Sequence, residues 1–343
     1  MTSYETLGKW LDTLVNIDII GRGIIDKLYT AAYERTGEPL IYKAAREIKE
    51  AVDKNDVVLI MTGFRTPPLF ITETDGPLGA ASLARAIDIC LGGRPVIITE
   101  PEDTSLRILE AVVRGVGLSV VPIKEISKES YRHCASVIGF TLDEEKAREE
   151  AKKLLDELNP SAVIAIEKAG RNSKNVYHNQ SGLDVSKYHA KVEHIIIEAQ
   201  KRGILTVGIG DGGNEVGMGV IEDVVRRYVP YGRECQCPCK GGIAAASKVD
   251  VLVTAVIANW GGYALSGMLA RMCDRPEGLH TQENEELMFT LAVSEGAIDG
   301  DKGIVAKSAD NVEIDIHKSV LALIRQILFH QPHPVVKGDI VSI

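Results

Sequence analysis

The stretch Leu205-Thr-Val-Gly-Ile-Gly-Asp-Gly-Gly-Asn-Glu-Val-Gly-Met-Gly219 begins as an apolar, β-type run and ends just before Ile221-Glu-Asp-Val-Val-Arg-Arg227. It therefore marks a place where a buried strand gives way to a helix. Each glycine in a helix or strand interior would cost about 1 kcal/mol relative to alanine, so the segment from Gly208 to Gly219 reads as a loop. Asp211 and Glu215, four residues apart across the predicted helix start, would share one face of its first turn. Two other readings compete. Gly208, Gly210 and Gly213 loosely match the G-x-G-x-x-G of a dinucleotide loop, but the acids would place negative charge where a pyrophosphate lies. A plain structural turn with solvated acids is the third. The pair of carboxylates favours a cation or acid/base chemistry.

Outward from this junction, the same alternation recurs. Apolar runs at 57–61, 95–99, 118–122, 162–166, 204–208 and 249–254 are separated by helical patterns near 79–91, 104–115, 142–158, 187–202 and 214–228. Continuous Val/Ile/Leu runs of this kind belong to strands covered on both faces. The expected fold is an α/β protein with a mainly parallel sheet and helices on both faces, doubly wound and Rossmann-like. Residues 1–54 form a helical lead-in, with Leu7, Leu11, Leu14 and Val15 at helical spacing and a second helix over 44–52. Residues 55–275 form the βαβ core. Residues 276–343 supply helices near 281–294 and 317–330 with a short hairpin-like piece around 312–316, and a further helix spans 262–273. The 343 residues are read as one domain, without repeats or long linkers.

Composition sets the bounds. Apolar residues make up 45% and charged residues 25%, with a net charge of −9, values of an ordinary globular protein that argue against a nucleic-acid or anionic-membrane binder. The N-terminal segment carries no signal-peptide pattern and no run reaches membrane-spanning length, so a cytoplasmic protein is expected. Room is left for a homo-oligomer. Of six cysteines, Cys235, Cys237 and Cys239 stand at alternate positions; on a strand they would share one side, and without a recognisable fourth ligand they read as a structural or incidental cluster. The histidines show no HExxH-type pairing, and His178 is near enough to Arg171 in sequence to reach a site.

Ligands of open α/β sheets bind beyond the carboxyl ends of the strands. Immediately after the predicted strands stand Glu73 and Asp75, Glu100, Glu167, and Asp211 with Glu215. Six carboxylates at one sheet edge cannot be buried unpaired, and an all-oxygen set suits Mn²⁺ or Mg²⁺, one ion or more. Arg65, Lys168 and Arg171 are the cations placed to neutralise part of this charge or hold an anionic small-molecule substrate. Thr62, Gly63, Phe64, Gly212, Gly213, Asn214 and Asn259 occupy the same ends as candidate substrate contacts. The competing assignments are an acid that caps a helix, as Asp75 could, and an Asn259 segment that simply starts one.

Several of these segments together resemble the D-glutamate cyclase-like C-terminal domain family: Thr62-Gly-Phe, Glu73-Thr-Asp-Gly-Pro-Leu-Gly-Ala80, Ala165-Ile-Glu-Lys-Ala-Gly-Arg171, Tyr177-His-Asn179, Gly208 to Gly219 and Asn259-Trp-Gly-Gly-Tyr-Ala-Leu265. The resemblance covers about residues 15–295, with Leu78 and Lys168 standing where the family more often has Pro and Arg. It implies the positions of the site residues. It also implies a reaction, the cyclisation of D-glutamate to 5-oxo-D-proline, credited to a two-domain protein of which this chain resembles one domain.

Read from the residues, the leading expectation is a divalent-metal-dependent hydrolase, a phosphatase of a small phosphorylated metabolite. In it Glu167 or Glu215 accepts a proton from a metal-bound water, while Arg65, Lys168 or Arg171 holds the phosphate. The alternatives are the D-glutamate cyclase reaction, a lyase, and a non-catalytic metal- or metabolite-binding protein.

Overall fold

The computed structural model describes residues 2–128 and 131–330. The chain opens with three helices, α1 (Tyr4–Val15), α2 (Ile25–Thr36) and α3 (Leu40–Ala51), and then alternates. β1 (Val57–Met61) leads to a two-residue pair, β2 (Arg65–Thr66) and β3 (Ile71–Thr72), and to α4 (Pro77–Ala86), which continues as a π-turn to Leu91. There follow β4 (Arg94–Thr99), α5 (Asp103–Gly115), β5 (Ser119–Val120), β6 (Cys134–Gly139), α6 (Glu144–Leu158), β7 (Ala162–Ile166), α7 (Glu193–Lys201), β8 (Leu205–Gly210), α8 (Glu222–Tyr228), β9 (Val251–Thr254), α9 (Ala258–Met272) and α10 (Gln282–Ser294). A hairpin, β10 (Ser308–Ala309) and β11 (Val312–Glu313), and α11 (Ile314–Phe329) complete the described chain.

Seven strands form one parallel sheet in the order β5-β6-β4-β1-β7-β8-β9, with helices around it, a doubly wound α/β fold. From β1 the chain builds outward through β4 to the β5/β6 edge, then crosses back and builds the other way from β7. β1 and β7 are neighbours, with Leu59 opposite Val163, so the strand order reverses between them. A crevice opens outside the carboxyl ends of strands at such a reversal, and it is where α/β sheets hold ligands.

The core explains the apolar runs. Every residue of β1, β4 and β7 is buried. Helix α9 is buried from Ala258 to Ala270 and packs against α3, α4 and α11, while α6 and α7 pack together. The α4–α9 approach depends on glycine, because a Cβ on Gly262 would lie 2.9 Å from the Gly79 Cα.

Three expectations about elements need correction. The strand placed at 118–122 shrinks to Ser119–Val120, and β6, the longer strand beside it, was passed over because Ser136 interrupts its apolar pattern. The helix expected from 214 begins only at Glu222, after a turn over 219–221, so Asp211 and Glu215 lie in the loop and not on a first helical turn. The helix expected over 187–202 starts at Glu193. The end of the C-terminal segment, 331–343, lies outside the described residues.

Candidate carboxylate site

At the end of β8 the backbone wraps around a side chain of its own loop. The Glu215 carboxylate accepts the Gly212 and Gly213 amides, each at 2.7 Å, and the Asp211 amide at 3.4 Å. A glycine-rich loop of this kind is suited to an external anion; here an internal one fills it. Gly213 has a φ of 98°, a conformation that glycine adopts without strain. Burial, and then the neighbouring Asp211, push the Glu215 carboxyl up to about 8.

Asp211 is the hub. Its carboxylate belongs to two groups of three whose ligand atoms lie within 4.8 Å of one another, Glu167/Asp211/Glu215 and Asp75/Asp211/Asp310. Oδ2 accepts from the Arg22 guanidinium at 2.6 Å, whereas Oδ1 is buried and has no hydrogen-bond partner among the described residues. Glu167, the first residue after β7, has a φ of 39° and a buried, unpartnered Oε2. That backbone conformation is uncommon for a non-glycine residue. Glu167 is held well above the usual carboxylate range by burial and by Asp211, Glu215, Asp75 and Glu73.

The remaining acids are tied more firmly. Asp75 accepts the Ala258 and Asn259 amides at 2.9 and 2.8 Å and so caps α9 from across the sheet edge. Burial, then Asp211, raise it to about 7 against those bonds. Glu73 is raised by burial and by Asp75, and Asp310 by burial and by Asp211. Against this charge, Arg22 contributes the ion pairs, at 2.6 Å to Asp211 and 3.9 Å to Asp310. Burial works against its charge, but Asp211 and Asp310 outweigh burial. The acids border a cavity of about 290 Å³ lined by Phe64, Glu73, Glu167, Asn179, Gln180, Ser181, Asp211, Asn214, Asp301 and Asp310, among others, at the lower end of the size of small-molecule sites.

Several candidate residues fall elsewhere. Glu100 belongs to neither carboxylate group; it forms a fully buried ion pair with Lys168, which also donates to the Gly63 carbonyl at 3.0 Å and the Thr62 carbonyl at 3.2 Å. Burial alone would raise Glu100, but Lys168 and His189 bring it to about 2. Arg65 pairs with Glu102, and Arg171 with Glu144 at 2.6 Å. None of these three cations lines the cavity. Asn259 is spent on structure: its Oδ1 accepts the Gly76 and Gly79 amides and its Nδ2 donates to the Thr74 carbonyl. Phe64 and Asn214 line the cavity, while Thr62 is buried behind it with its hydroxyl unpartnered. His178 does not join the acids; it meets the three cysteines.

Arg22 and Asp310 were missed. Asp310 and Asn311, with φ of 50° and 61°, form the two-residue turn between β10 and β11, in which Ala309 pairs with Val312. Asp-Asn between two short β pieces is a recognisable signal for such a turn. Gly21-Arg22-Gly23 offers flanking glycines at φ of 73° and 71°, but nothing in its spacing points to the sheet.

The fold and site define a doubly wound α/β protein with a carboxylate-lined pocket at the point where strand order reverses. The D-glutamate cyclase-like C-terminal family model matches residues 11–325, and the chain belongs to that family. It is 32% identical over 218 residues to human mitochondrial D-glutamate cyclase, an alignment covering 61% of this chain and 32% of that protein. The chain thus spans about a third of the length of this relative. These matches overturn the expected phosphatase, since both family and named relative point to D-glutamate cyclisation. The geometry gives the physical reason: the three cations assigned to a phosphate are each paired with a glutamate outside the pocket. Among the described residues no helix is long and apolar enough to cross a membrane.

Proposed function

We propose that this chain is an enzyme that closes D-glutamate to 5-oxo-D-proline in the carboxylate pocket. The observation that carries the reading is the pair of unpartnered, buried oxygens, Asp211 Oδ1 and Glu167 Oε2, in the cavity wall of a member of this family. Hard oxygen donors suit Mn²⁺ or Mg²⁺, and Asp211, Asp75 and Asp310, whose ligand atoms lie within 4.8 Å of one another, would hold it. When bound, such an ion polarises a carboxyl group and offsets the pocket's negative charge.

The remaining chemistry falls to the chain's own residues. The substrate's α-amino nitrogen forms a bond to the γ-carboxyl carbon, a C–O bond breaks, and the two protons lost by the ammonium leave with that oxygen as water. The acidic wall favours the ammonium end of the substrate. Glu167, pushed above the usual carboxylate range by burial and by Asp211, is the residue placed to give a proton to the departing oxygen, and an ionised pocket carboxylate takes a proton from nitrogen. Asn179 and Gln180, also in the cavity wall, supply amide groups for the α-carboxylate. Glu215 keeps the loop in shape.

The test is incubation of the purified chain with D-glutamate, with and without Mn²⁺, followed by chiral chromatography for 5-oxo-D-proline. L-glutamate serves as the control. Product that forms with Mn²⁺ and disappears in Glu167→Gln is expected; no product above the uncatalysed background refutes the reading.

A further inference from the structure

Segment 235–239 is a bent turn and not the strand its alternating cysteines suggested, and the turn brings all three sulfurs to one point. His178 Nε2 lies 3.3 Å from Cys237 Sγ and 3.6 Å from Cys239 Sγ. Cys235 Sγ lies 3.5 Å from Cys237 Sγ and 3.3 Å from Cys239 Sγ. All four ligand atoms fall within 4.8 Å of one another. Zinc–sulfur bonds of ~2.3 Å and zinc–nitrogen bonds of ~2.0 Å, set tetrahedrally, give ligand edges of about 3.5–3.8 Å. We infer that Cys235, Cys237, Cys239 and His178 form a structural zinc site, separate from the carboxylate pocket and of a different donor class.

The surroundings fit charged sulfur. The Gly241 amide points at Cys239 Sγ at 3.3 Å, and Asn172 Nδ2 at 3.6 Å. Lys240 and Gly242, with φ of 50° and 78°, shape the turn that presents this amide. His178 is 1% exposed, so its imidazole is held against the thiols without solvent. Three thiolates and one imidazole make a closed set with no open position, the arrangement of structural and not catalytic zinc.

The site's consequence lies next door. His178 immediately precedes Asn179, Gln180 and Ser181 in the cavity wall, and its carbonyl accepts from Asn214 at 2.9 Å. Gln236, between two ligands, bonds to the Ser181 and Gly182 carbonyls. Zinc would therefore clip the cysteine turn to the pocket wall.

The test uses the full chain, expressed with zinc and purified under reducing conditions. Elemental analysis should find about one zinc per chain. Cobalt in its place should show thiolate-to-cobalt charge transfer and the visible bands of a tetrahedral ion, a measurement on the unmutated protein. Zinc should be lost in Cys237→Ser and His178→Asn but kept in Asp211→Asn. Absence of both zinc and the cobalt–thiolate spectrum overturns the inference. So does a disulfide within the cluster in the native protein, or zinc that is lost in Asp211→Asn and kept in Cys237→Ser. None of these readouts depends on catalysis, so they stand or fall separately from the cyclisation assay.

Discussion

Raising the pH from 7 to 8 without divalent cations should destabilise this protein, and Mg²⁺ should reverse the loss. Glu215 is held up to about 8 and Asp75 to about 7, whereas the same groups in an unfolded chain titrate near ~4. The folded state thus retains protons that the unfolded state has already released. Because the native state binds more protons, unfolding free energy falls as pH climbs through these values. Between pH 7 and 8 the two groups remove about 1.4 kcal/mol. Glu73, Glu167 and Asp310 shift in the same direction and add to it. With an unfolding entropy of about 0.7 kcal/mol/K for a chain of this size, Tm should drop by at least about 2 °C.

The window separates these groups from the histidines, and the Mg²⁺ arm from the rest. His178, His189 and His317 are lowered by burial, so they destabilise the fold only as pH falls below the histidine range. The thiols of Cys90, Cys134, Cys237 and Cys273, raised by burial, begin to titrate in the unfolded chain near pH ~8 and add a smaller loss of the same sign, which the Mg²⁺ arm also separates. Asp12, raised to about 7 by burial between α1 and α3, has the same sign but does not adjoin the pocket, and the Mg²⁺ arm separates it. Mg²⁺ has little affinity for thiolates. At a hundredfold excess over its Kd it should add about 2.7 kcal/mol, or about 4 °C, at pH 8. At pH 6 the gain should be smaller, because protons occupy the ligands. Thermal unfolding followed by tryptophan fluorescence reads both arms. A Tm that holds or rises from pH 7 to 8, or a Mg²⁺ shift no larger at pH 8 than at pH 6, refutes the reasoning.

Three further outcomes follow from single contacts. Lys168→Met strands the buried Glu100 carboxylate and should cost about 3–5 kcal/mol by denaturant unfolding; adding Glu100→Gln should recover part of that loss. Asn259→Ala leaves the Gly76 and Gly79 amides and the Thr74 carbonyl buried and unpaired, so about 1–3 kcal/mol per group is at stake and a clear fall in Tm is expected. In Gly300→Ala the new Cβ would stand 1.7 Å from Glu73 Oε2 and must displace that carboxylate. Cyclisation should fall in the steady-state assay, while Tm moves by less than in Asn259→Ala.

Much of the fold was legible because burial on both faces leaves the pattern in the chain. β1, β4 and β7 are wholly buried, and each carries an apolar run, unbroken in β1 and β7 and spanning Val96-Ile-Ile98 in β4. What failed was at the sheet's edge and at helix starts. β6 has a half-buried end and an inward serine that donates to the Val121 carbonyl, so its periodicity is weak although its pairing with β4 is long. The early start given to α8 came from treating a capped loop as a helical turn. Glu215 satisfies the loop amides through its side chain, doing locally what helical carbonyls would do, and a linear pattern does not distinguish the two.

The site was legible in its charge but not in its pairing, and the reason is geometric. Counting acids at strand ends required a cation, which is correct, but the nearest cation in sequence is the wrong one. Glu167 and Lys168 are consecutive residues just after β7, where the chain leaves the extended conformation at Glu167, with its φ of 39°. With Glu167 in the pocket wall, Lys168 turns away, into the fully buried pair with Glu100. That pairing removes Glu100 from the carboxylate cluster together with its partner. The vacant roles pass to Arg22, 189 residues from Asp211 in the chain, and to Asp310, on a hairpin after the last strand of the main sheet. Arg22 stands in the loop between α1 and α2 and also donates to the Val256 carbonyl just after β9, a contact that no strand periodicity announces. Charge balance at the switch point is therefore set by tertiary contact, and a reading that assigns ion pairs by proximity along the chain will misplace them wherever acid and base are adjacent at a strand end.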